Sequence, residues 1–298
     1  MHIHREGLGG LSGPELTVMT EGELAAMRAE EGMTVVQRVG RYWEAIFPGF
    51  YQPVHLLGRF RPSEVKRPAF FCWGYRAALY EDDANLANGS VPVHLMTNVK
   101  QFTEATLSRN RRGDLRRCRQ HVEFRRLQDP SLLVEQGYEV FMSARRRVDY
   151  YFPHLTEAEY RKRMERRAKD ERRLILAGLV DGKLGGYLES YAVDDTLYAH
   201  ELVVATEVVR TGIGTGLYVE TIETGVRAES IRDVCLGLHT PEREGITTFK
   251  EGLGFPIVNV PARSAIPAPI GAYIKARRPA VHYRLTGVRP GAIAKTLE

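Results

Sequence analysis

Hydrophobic and polar positions alternate most regularly between residues 173 and 205. The pattern predicts three strands, at 173–180, 184–192 and 196–205, joined by turns at Asp181-Gly182 and Asp194-Asp195. The pattern then predicts a helix at 214–229 and a strand at 233–238. A second helix from Pro241 and a strand at 257–260 follow. Because the helix at 214–229 is a crossover, the strand at 233–238 is predicted to be parallel to the strand before that helix.

The first half of the chain has a less regular pattern. Apolar runs at 54–57, 69–75 and 91–96, separated by prolines, predict strands and turns between residues 35 and 102. The other predicted elements are helices at 21–31 and 100–119, a short strand at 122–127, a helix from Pro130 to about Arg147, and a helix that opens with the capping box Thr156 and Glu159 and ends near Arg172. We therefore predict a weakly anchored lead-in at 1–32, a strand-rich domain at 33–128 and a further domain at 129–298.

Composition adds a class of protein and a compartment to this picture. The 298 residues are 43% hydrophobic and 27% charged, with values ordinary for a globular protein. The three cysteines, Cys72, Cys118 and Cys235, have no metal-binding or redox spacing, and no apolar run is long enough for a signal peptide or a membrane span. The expectation is a soluble cytoplasmic protein that has no metal ion and no membrane partner, with an oligomeric state that the sequence does not reveal.

Arginine is concentrated in two stretches. Residues 109–126 contain eight arginines and two acids, and residues 145–173 contain eleven lysines and arginines and six acids. Arginine matches phosphate geometry, so these stretches fit a nucleotide, a phosphorylated substrate or RNA. Arg112 and Arg116 lie one turn apart on the predicted helix and are candidate ligands for an anionic acceptor. The alternative is a solvated helix face, which the interleaved acids favour in the second stretch.

A glycine-rich loop, Gly212-Ile213-Gly214-Thr215-Gly216, lies between a predicted strand and a predicted helix. Backbone N–H groups that converge at a helix N-terminus form a site suited to a pyrophosphate. A tight turn with close helix packing explains the glycines equally well. A dinucleotide site of the Rossmann type is disfavoured because antiparallel strands precede the loop, and no Gly-Lys-Ser/Thr follows for a phosphate loop of the Walker type.

Two motifs carry a family resemblance. The segment 203–217, a strand followed by the glycine loop, resembles the acyl-CoA-binding segment of the GNAT superfamily, and Lys250-Glu251-Gly252-Leu253-Gly254-Phe255 resembles its second motif, a helix that ends in Leu-Gly-Phe. The resemblance covers about residues 130–290. It implies an α/β (α+β) fold with a mixed, mostly antiparallel sheet flanked by helices, and acyl-CoA, such as acetyl-CoA, as cosubstrate. The implied cofactor-binding residues are Leu202, Val203, Val204, Val209, Arg210, Thr211, Gly212, Ile213, Gly214, Thr215 and Gly216.

The sequence departs from that pattern at two positions. Val209 stands where Gln or Arg is usual, with Arg210 beside it, and Lys250 replaces the tyrosine that commonly protonates the departing thiolate. Lys250 and the arginine-rich segment 108–117 resemble the Fem-type branch, whose members transfer amino acids from aminoacyl-tRNA and carry two GNAT-like domains. That resemblance implies a divergent GNAT-like domain in the N-terminal half and tRNA as a partner.

Acyl transfer requires a base for the attacking amine and a donor for the oxyanion. The candidate bases are Tyr198, His200 and Glu201, and Lys250 is a candidate donor to the oxyanion or the leaving group. A backbone N–H near 202–204 is the expected oxyanion donor. Three hypotheses follow: transfer from acyl-CoA to an amine of a small molecule or peptide, transfer from aminoacyl-tRNA, and a GNAT-like binding module without catalysis. The sequence favours the first of them over the second.

Overall fold

The computed structural model describes residues 16–148 and 153–289. The helices of the described residues are α1 (Glu21–Glu30), α2 (Arg109–His121), α3 (Ser131–Arg147), α4 (Glu157–Ala168), α5 (Ile213–Arg227), α6 (Glu244–Gly252), α7 (Ala268–Arg277) and α8 (Pro279–Thr286). The strands are β1 (Val18–Met19), β2 (Val35–Arg38), β3 (Arg41–Phe47), β4 (Phe50–Pro53), β5 (Arg59–Phe60), β6 (Gly74–Leu79), β7 (Gly89–Met96), β8 (Glu123–Arg126), β9 (Arg173–Val180), β10 (Lys183–Val193), β11 (Thr196–Val204), β12 (Asp233–Leu238) and β13 (Ile257–Ala265).

The described chain forms two compact units with interleaved sequences. The first unit contains 96–236 and the short segment 252–255, and the second unit contains 19–95, 237–251 and the chain from Pro256. The bounds of these units differ from the domain bounds that the sequence predicts. The division into a lead-in and two GNAT-like domains stays a prediction. Within residues 16–32, α1 begins at a complete capping box and buries Leu24 and Met27, so this part of the expected lead-in is anchored.

The sheet of the first unit follows the predicted strand order. Strands β8, β9, β10 and β11 pair with their neighbours in antiparallel fashion, and β12 pairs in parallel with β11 through Thr196–Asp233, Leu197–Val234 and Tyr198–Cys235. The mixed, mostly antiparallel sheet flanked by helices is therefore confirmed, as is the parallel strand after the crossover helix.

Helices cover both faces of this sheet. Alternate strand residues such as Ile175 and Ala177 contact a core built with Phe141, Tyr160 and Met164 of α3 and α4. On the other face, the side chain of Ile213, the first residue of α5, lies against Gly178. The period of two along a strand thus sends each strand's side chains to two different helix layers.

The sheet of the second unit contains a strand from far along the chain. Strand β13 pairs in antiparallel fashion with both β6 and β7, whereas β4 and β5 pair in parallel with β6. The core of this unit includes Trp43, Tyr51 and Phe60. The apolar runs predict strands and turns between residues 35 and 102 and a strand at 257–260, but not that β13 lies between β6 and β7.

Several element bounds differ from those predicted. The helix expected at 100–119 begins only at Arg109, because the side chain of Ser108 accepts the N–H of Arg111 and caps it there. The apolar run 54–57 is not a strand, and the run 69–75 contributes only the start of β6 at Gly74. Helix α4 ends at Ala168 rather than near Arg172, α6 begins at Glu244 rather than at Pro241, and β13 extends to Ala265.

The described residues contain neither a membrane-spanning helix nor a cluster of metal-binding side chains. No helix among them has the length and apolar character to cross a bilayer. No group of three or more His, Cys, Asp or Glu side chains in these residues is arranged to hold a metal ion.

Candidate functional site

The glycine loop lies at the transition from β11 to α5, as the sequence predicts. After β11, a 3-10 turn at Thr206–Thr211 leads to Gly212, which has a φ of 82° and immediately precedes α5. The start of the turn is fixed by Ser143 of α3, whose Oγ accepts the N–H of Thr206 at 2.9 Å and donates to Glu207. Only glycine adopts this left-handed conformation without strain, so Gly212 is required by the backbone alone.

Helix α2 packs on the loop. A Cβ atom at Gly212 would collide with the backbone carbonyl of Asp114, and one at Gly216 would collide with the side chains of Cys118 and Phe124. Gly214 has only ordinary contacts, with Leu202 and Val204. Two of the three glycines are therefore also required by the close approach of α2, which is the packing interpretation that the sequence left open.

A carboxylate lies at the N-terminus of α5. Asp114 accepts the hydroxyl of Thr215 at 3.4 Å and forms an ion pair with Arg111 at 2.7 Å. Thr211 Oγ1 accepts the N–H of Ile213 at 3.3 Å, and the N–H of Gly216 donates to the carbonyl oxygen of Gly212. The positive end of the helix dipole thus already faces a negative side chain.

Strand β11 diverges from β12 beyond Tyr198. Their register contains three pairs, Thr196 to Tyr198, and the rest of β11 extends past them to Val204. Ala205 donates its N–H to the carbonyl oxygen of Gly185 in β10. Alternation along β11 therefore points the N–H groups of Leu202 and Val204 away from β10. These are the backbone groups expected near an oxyanion, and their catalytic use stays a prediction.

His200 occupies a β-bulge. Glu189 of β10 pairs with Glu201 and Ser190 pairs with Ala199, so His200 is the extra residue on β11. Its partly exposed ring lies 5.6 Å from the ring of Tyr191. Bulges commonly redirect a side chain beside an active site.

Tyr198 lies on the same pair of strands but is less accessible. Its ring is buried and stacks on Tyr191 with centroids 5.3 Å apart. Tyr191 therefore contacts both predicted residues, Tyr198 and His200. Of the two, His200 is the more open to a substrate.

Glu201 belongs to a buried ion-pair network. Arg167 bonds Glu201 at 2.8 Å and Glu189 at 2.7 Å, and Arg163 also binds Glu201. Arg173 completes the network by pairing with Glu189. Glu201 is thus committed to two arginines of α4, so its carboxylate is occupied by structural ion pairs.

The remaining predicted residues lie on other elements. Lys250 is on α6 in the second unit, and Arg116 is exposed on α2. Arg112 donates to the carbonyl oxygen of Leu107 at 2.6 Å and to that of Ala105 at 3.3 Å, so it holds the chain that enters α2. Val209 and Arg210 are exposed in the turn before Gly212. The structure thus brings together Tyr198, His200 and the residues of 202–216, while Arg112 has a local structural partner.

Sequence reasoning missed Asp114 and Tyr191. Asp114 was noted only as an acid in an arginine-rich stretch, and its contact with Thr215 joins residues far apart in sequence. Tyr191 faces Tyr198 because the two strands form a hairpin, so the predicted turn at 194–195 was a usable signal for that pair. Hairpin register can be derived from a turn, whereas helix packing over a distant loop cannot.

Comparisons with known proteins identify the fold. No protein-family model matches the sequence, and no characterised protein matches it. FemX aligns with 90% of this chain and 96% of its own at 10% identity and a TM-score of 0.58. The C-terminal domain of a putative lysylphosphatidylglycerol synthetase from Agrobacterium fabrum aligns with 90% of this chain and 97% of its own at 10% identity, with a TM-score of 0.57.

A third solved structure, a conserved protein of unknown function from Bacteroides thetaiotaomicron, covers 82% of this chain and 89% of its own at 10% identity and a TM-score of 0.55. At such identities the likeness establishes the fold and not the reaction. This chain therefore has the fold of FemX and of the synthetase domain, which confirms at the level of the fold the Fem-type resemblance predicted from the sequence.

Proposed function

We propose that this protein transfers an aminoacyl group from aminoacyl-tRNA to an amine acceptor. The observation that carries the proposal is the packing of α2 on the glycine loop, which sets the Asp114 carboxylate at the N-terminus of α5. Asp114 contacts Thr215 of α5 and also pairs with Arg111 and Arg117, so a coenzyme A pyrophosphate would have to displace this carboxylate from the loop. An aminoacyl-tRNA carries no such pyrophosphate, so its binding does not require this loop to be open.

The exposed surface of α2 supports a polynucleotide donor. Arg109 and Arg116 are seven residues apart, which sets them on one face of the helix, and neither forms an ion pair with a described residue. Arg117 and Arg119, also exposed, pair with Asp114 and Glu104. Unpaired arginines on one helix face are suited to backbone phosphates of RNA.

The reaction is a substitution at an ester carbonyl. The acceptor nitrogen attacks the carbonyl carbon, a C–N bond forms, and the bond to the terminal ribose oxygen of the tRNA breaks, with a proton delivered to that oxygen. His200 takes the proton from the amine, because its partly exposed imidazole lies at a bulge and offers a ring nitrogen that can accept a proton. The N–H groups of Leu202 and Val204 stabilise the oxyanion.

The donor is tested by thermal shift and by transfer. We expect coenzyme A and acetyl-CoA at millimolar concentration to leave the melting temperature unchanged. We expect radiolabelled amino acids to move from mixed aminoacyl-tRNA to one member of a panel of amines. A ligand that binds only the folded state raises the melting temperature, so a clear shift with coenzyme A, accompanied by acetyl transfer, would overturn the tRNA proposal.

The role of His200 is tested with a matched variant. His200→Ala should lower the rate of transfer by about 10²- to 10⁴-fold, which is the usual contribution of a general base. His154→Ala removes an exposed histidine elsewhere and should retain the full rate. Equal rates in the two variants would exclude His200 as the base, and a melting temperature unchanged in both would exclude a folding defect.

Transfer from acyl-CoA is the second candidate function. It is favoured by the divergence of β11 from β12 and by the left-handed Gly212 directly before α5. Asp114→Asn distinguishes the two candidates, because it removes the carboxylate that competes for the loop and for Arg111 and Arg117, and keeps the shape of the side chain. Under the second candidate, Asp114→Asn binds coenzyme A more tightly than the unmodified protein does; under the first, neither protein binds it.

A further inference from the structure

Two adjacent phenylalanines of the second unit face solvent. Phe70 is 82% exposed and Phe71 is 84% exposed, and their rings meet edge to face with centroids 5.0 Å apart. The residues that bracket them, Val65 and Cys72, are buried and hold the ends of the loop. Aromatic side chains normally account for much of the apolar area that a protein removes from water, so such a pair needs an explanation.

The loop is held by hydrogen bonds to a neighbouring turn. Trp73 donates its Nε1–H to the carbonyl oxygen of Pro48 at 2.6 Å and its backbone N–H to Gly49 at 2.8 Å. Arg67 donates to the carbonyl oxygen of Phe70. The same turn presents Phe47, which is 44% exposed. The three phenylalanines, 47, 70 and 71, form what we call the aromatic tip, and its fixed backbone keeps the ordering cost of binding low.

Cations flank the aromatic tip. Lys66 and Arg67 are exposed, and neither forms an ion pair with a described residue. Arg61, by contrast, pairs with Asp83 at 2.9 Å and covers the ring of Tyr80, while Glu64 accepts the backbone N–H of Arg61. The charges nearest the two phenylalanines in sequence are therefore positive and exposed, and Arg67 is held beside Phe70 by its hydrogen bond to that residue's carbonyl oxygen.

We propose that the aromatic tip docks this protein on an anionic lipid surface. Phe70 and Phe71 enter the boundary between head groups and acyl chains, where aromatic rings are favoured, and Lys66 and Arg67 approach the lipid phosphates. A lipid surface is favoured over a protein partner because adjacent, almost fully exposed rings need an occupant that rearranges around them, whereas a protein would need a matching pocket. The charge of the flanking residues selects anionic lipid over neutral lipid.

This proposal differs from the expectation of no membrane partner, which stays a prediction. The sequence interpretation treated 69–75 as an apolar strand, which would have buried both phenylalanines. The proposal is independent of the transfer reaction, because vesicle binding is measured without tRNA or acceptor. Either proposal can therefore fail while the other holds.

Vesicle flotation tests the docking surface. We expect the full chain to float with vesicles of phosphatidylcholine and phosphatidylglycerol at 3:1 and not with phosphatidylcholine alone, and 0.5 M NaCl should weaken the binding. Phe70→Ser/Phe71→Ser should lower the partition coefficient at least tenfold. Lys66→Gln/Arg67→Gln should lower it by about thirtyfold, since each of the two cations near an anionic surface contributes about 1 kcal/mol. Tyr273→Ser, which removes a 67% exposed aromatic residue of the same unit, is the matched control and should bind as the unmodified protein does.

Three results would overturn the proposal. The first is no flotation with anionic vesicles, and the second is equal flotation of the unmodified protein and Phe70→Ser/Phe71→Ser. The third is a dimer in sedimentation without vesicles that the same double substitution converts to monomer, because the occupant would then be a second copy of the chain. Unchanged circular dichroism of each variant shows that the loss of binding is not a loss of fold.

Discussion

At the scale of single residues, Glu220 of α5 is a carboxylic acid buried without a hydrogen-bond partner. Its side chain is 1% exposed, and neither carboxylate oxygen is bonded among the described residues. Burial raises the pKa of Glu220 to about 7, Glu223 adds to the rise, and Arg227 and Arg119 oppose it. Cys118 of α2 lies near Glu220, and burial raises the pKa of its thiol to about 12.

Glu220 should make stability depend on pH. Because the folded-state pKa lies above the unfolded value, the folded state binds the extra proton, and the free energy of unfolding falls as pH rises from about 4.5 to about 7. The loss attributable to Glu220 is up to about 3 kcal/mol. Urea unfolding measures the free energy of unfolding at pH 5 and at pH 8. The difference between the two values should be smaller for Glu220→Gln than for the unmodified protein, whereas Glu229→Gln, at an exposed position, should keep the difference of the unmodified protein. Identical pH profiles for Glu220→Gln and the unmodified protein would contradict this assignment.

Gly212 should be more sensitive to substitution than its φ alone explains. Gly182 has a similar φ of 75° with open space around it, whereas Gly212 is pressed against the backbone of Asp114. Gly182→Ala should cost about 1 kcal/mol of stability, and Gly212→Ala at least about 1 kcal/mol more. Chemical denaturation of the two variants gives the difference directly, and equal losses would mean that α2 does not press on the loop.

At the scale of elements, a buried charge network attaches α4 to the sheet of the first unit. Arg167 connects Glu189 of β10 with Glu201 of β11, and the side chains of all three are at most 10% exposed. Removing one partner of a buried pair leaves an uncompensated charge. The network therefore fixes where α4 lies on the sheet.

Substitution within the network should be costly. Arg167→Ala should lower the free energy of unfolding by about 3–5 kcal/mol. Arg161→Ala, on the same helix, breaks an exposed pair with Glu157 and should cost less than about 0.5 kcal/mol. The two variants are compared by urea unfolding at pH 7, and similar losses would assign the effect to helix propensity instead of to the buried charges.

The elements also show which parts of the molecule a sequence reveals. The order β9, β10, β11, α5 and β12 was predictable because turns and crossovers follow local rules. The contact of Asp114 with Thr215 was not, because it joins residues that no turn or crossover relates. Glu201 is intermediate: Arg163 and Arg167 are four residues apart and share a helix face, but only the fold shows that this face lies over Glu201.

At the scale of the whole molecule, the proposed tRNA donor should bind with strong salt dependence. The chain carries a net charge of +5, and each phosphate contact contributes about 0.7–0.9 to the slope of log affinity against log salt. Arg109→Gln/Arg116→Gln removes two such contacts and should reduce that slope by about 1.4 to 1.8. The same double change at Lys275 and Arg277, exposed on α7, keeps the net charge matched and should leave the slope unaltered. Filter binding between 50 and 200 mM salt measures the slope for each double variant. Equal slopes for the two variants would show that α2 is not part of the tRNA-binding surface.

The position of β13 between β6 and β7 has a consequence for biosynthesis. Strand β7 leaves the ribosome about 160 residues before β13, which at 5–20 residues per second is a delay of roughly 8–30 s. During that interval the facing edges of β6 and β7 lack the strand that joins them, and open sheet edges recruit other chains. A nascent chain of this protein therefore folds correctly only if other chains bind its open sheet edges slowly, or if a chaperone covers those edges until β13 emerges.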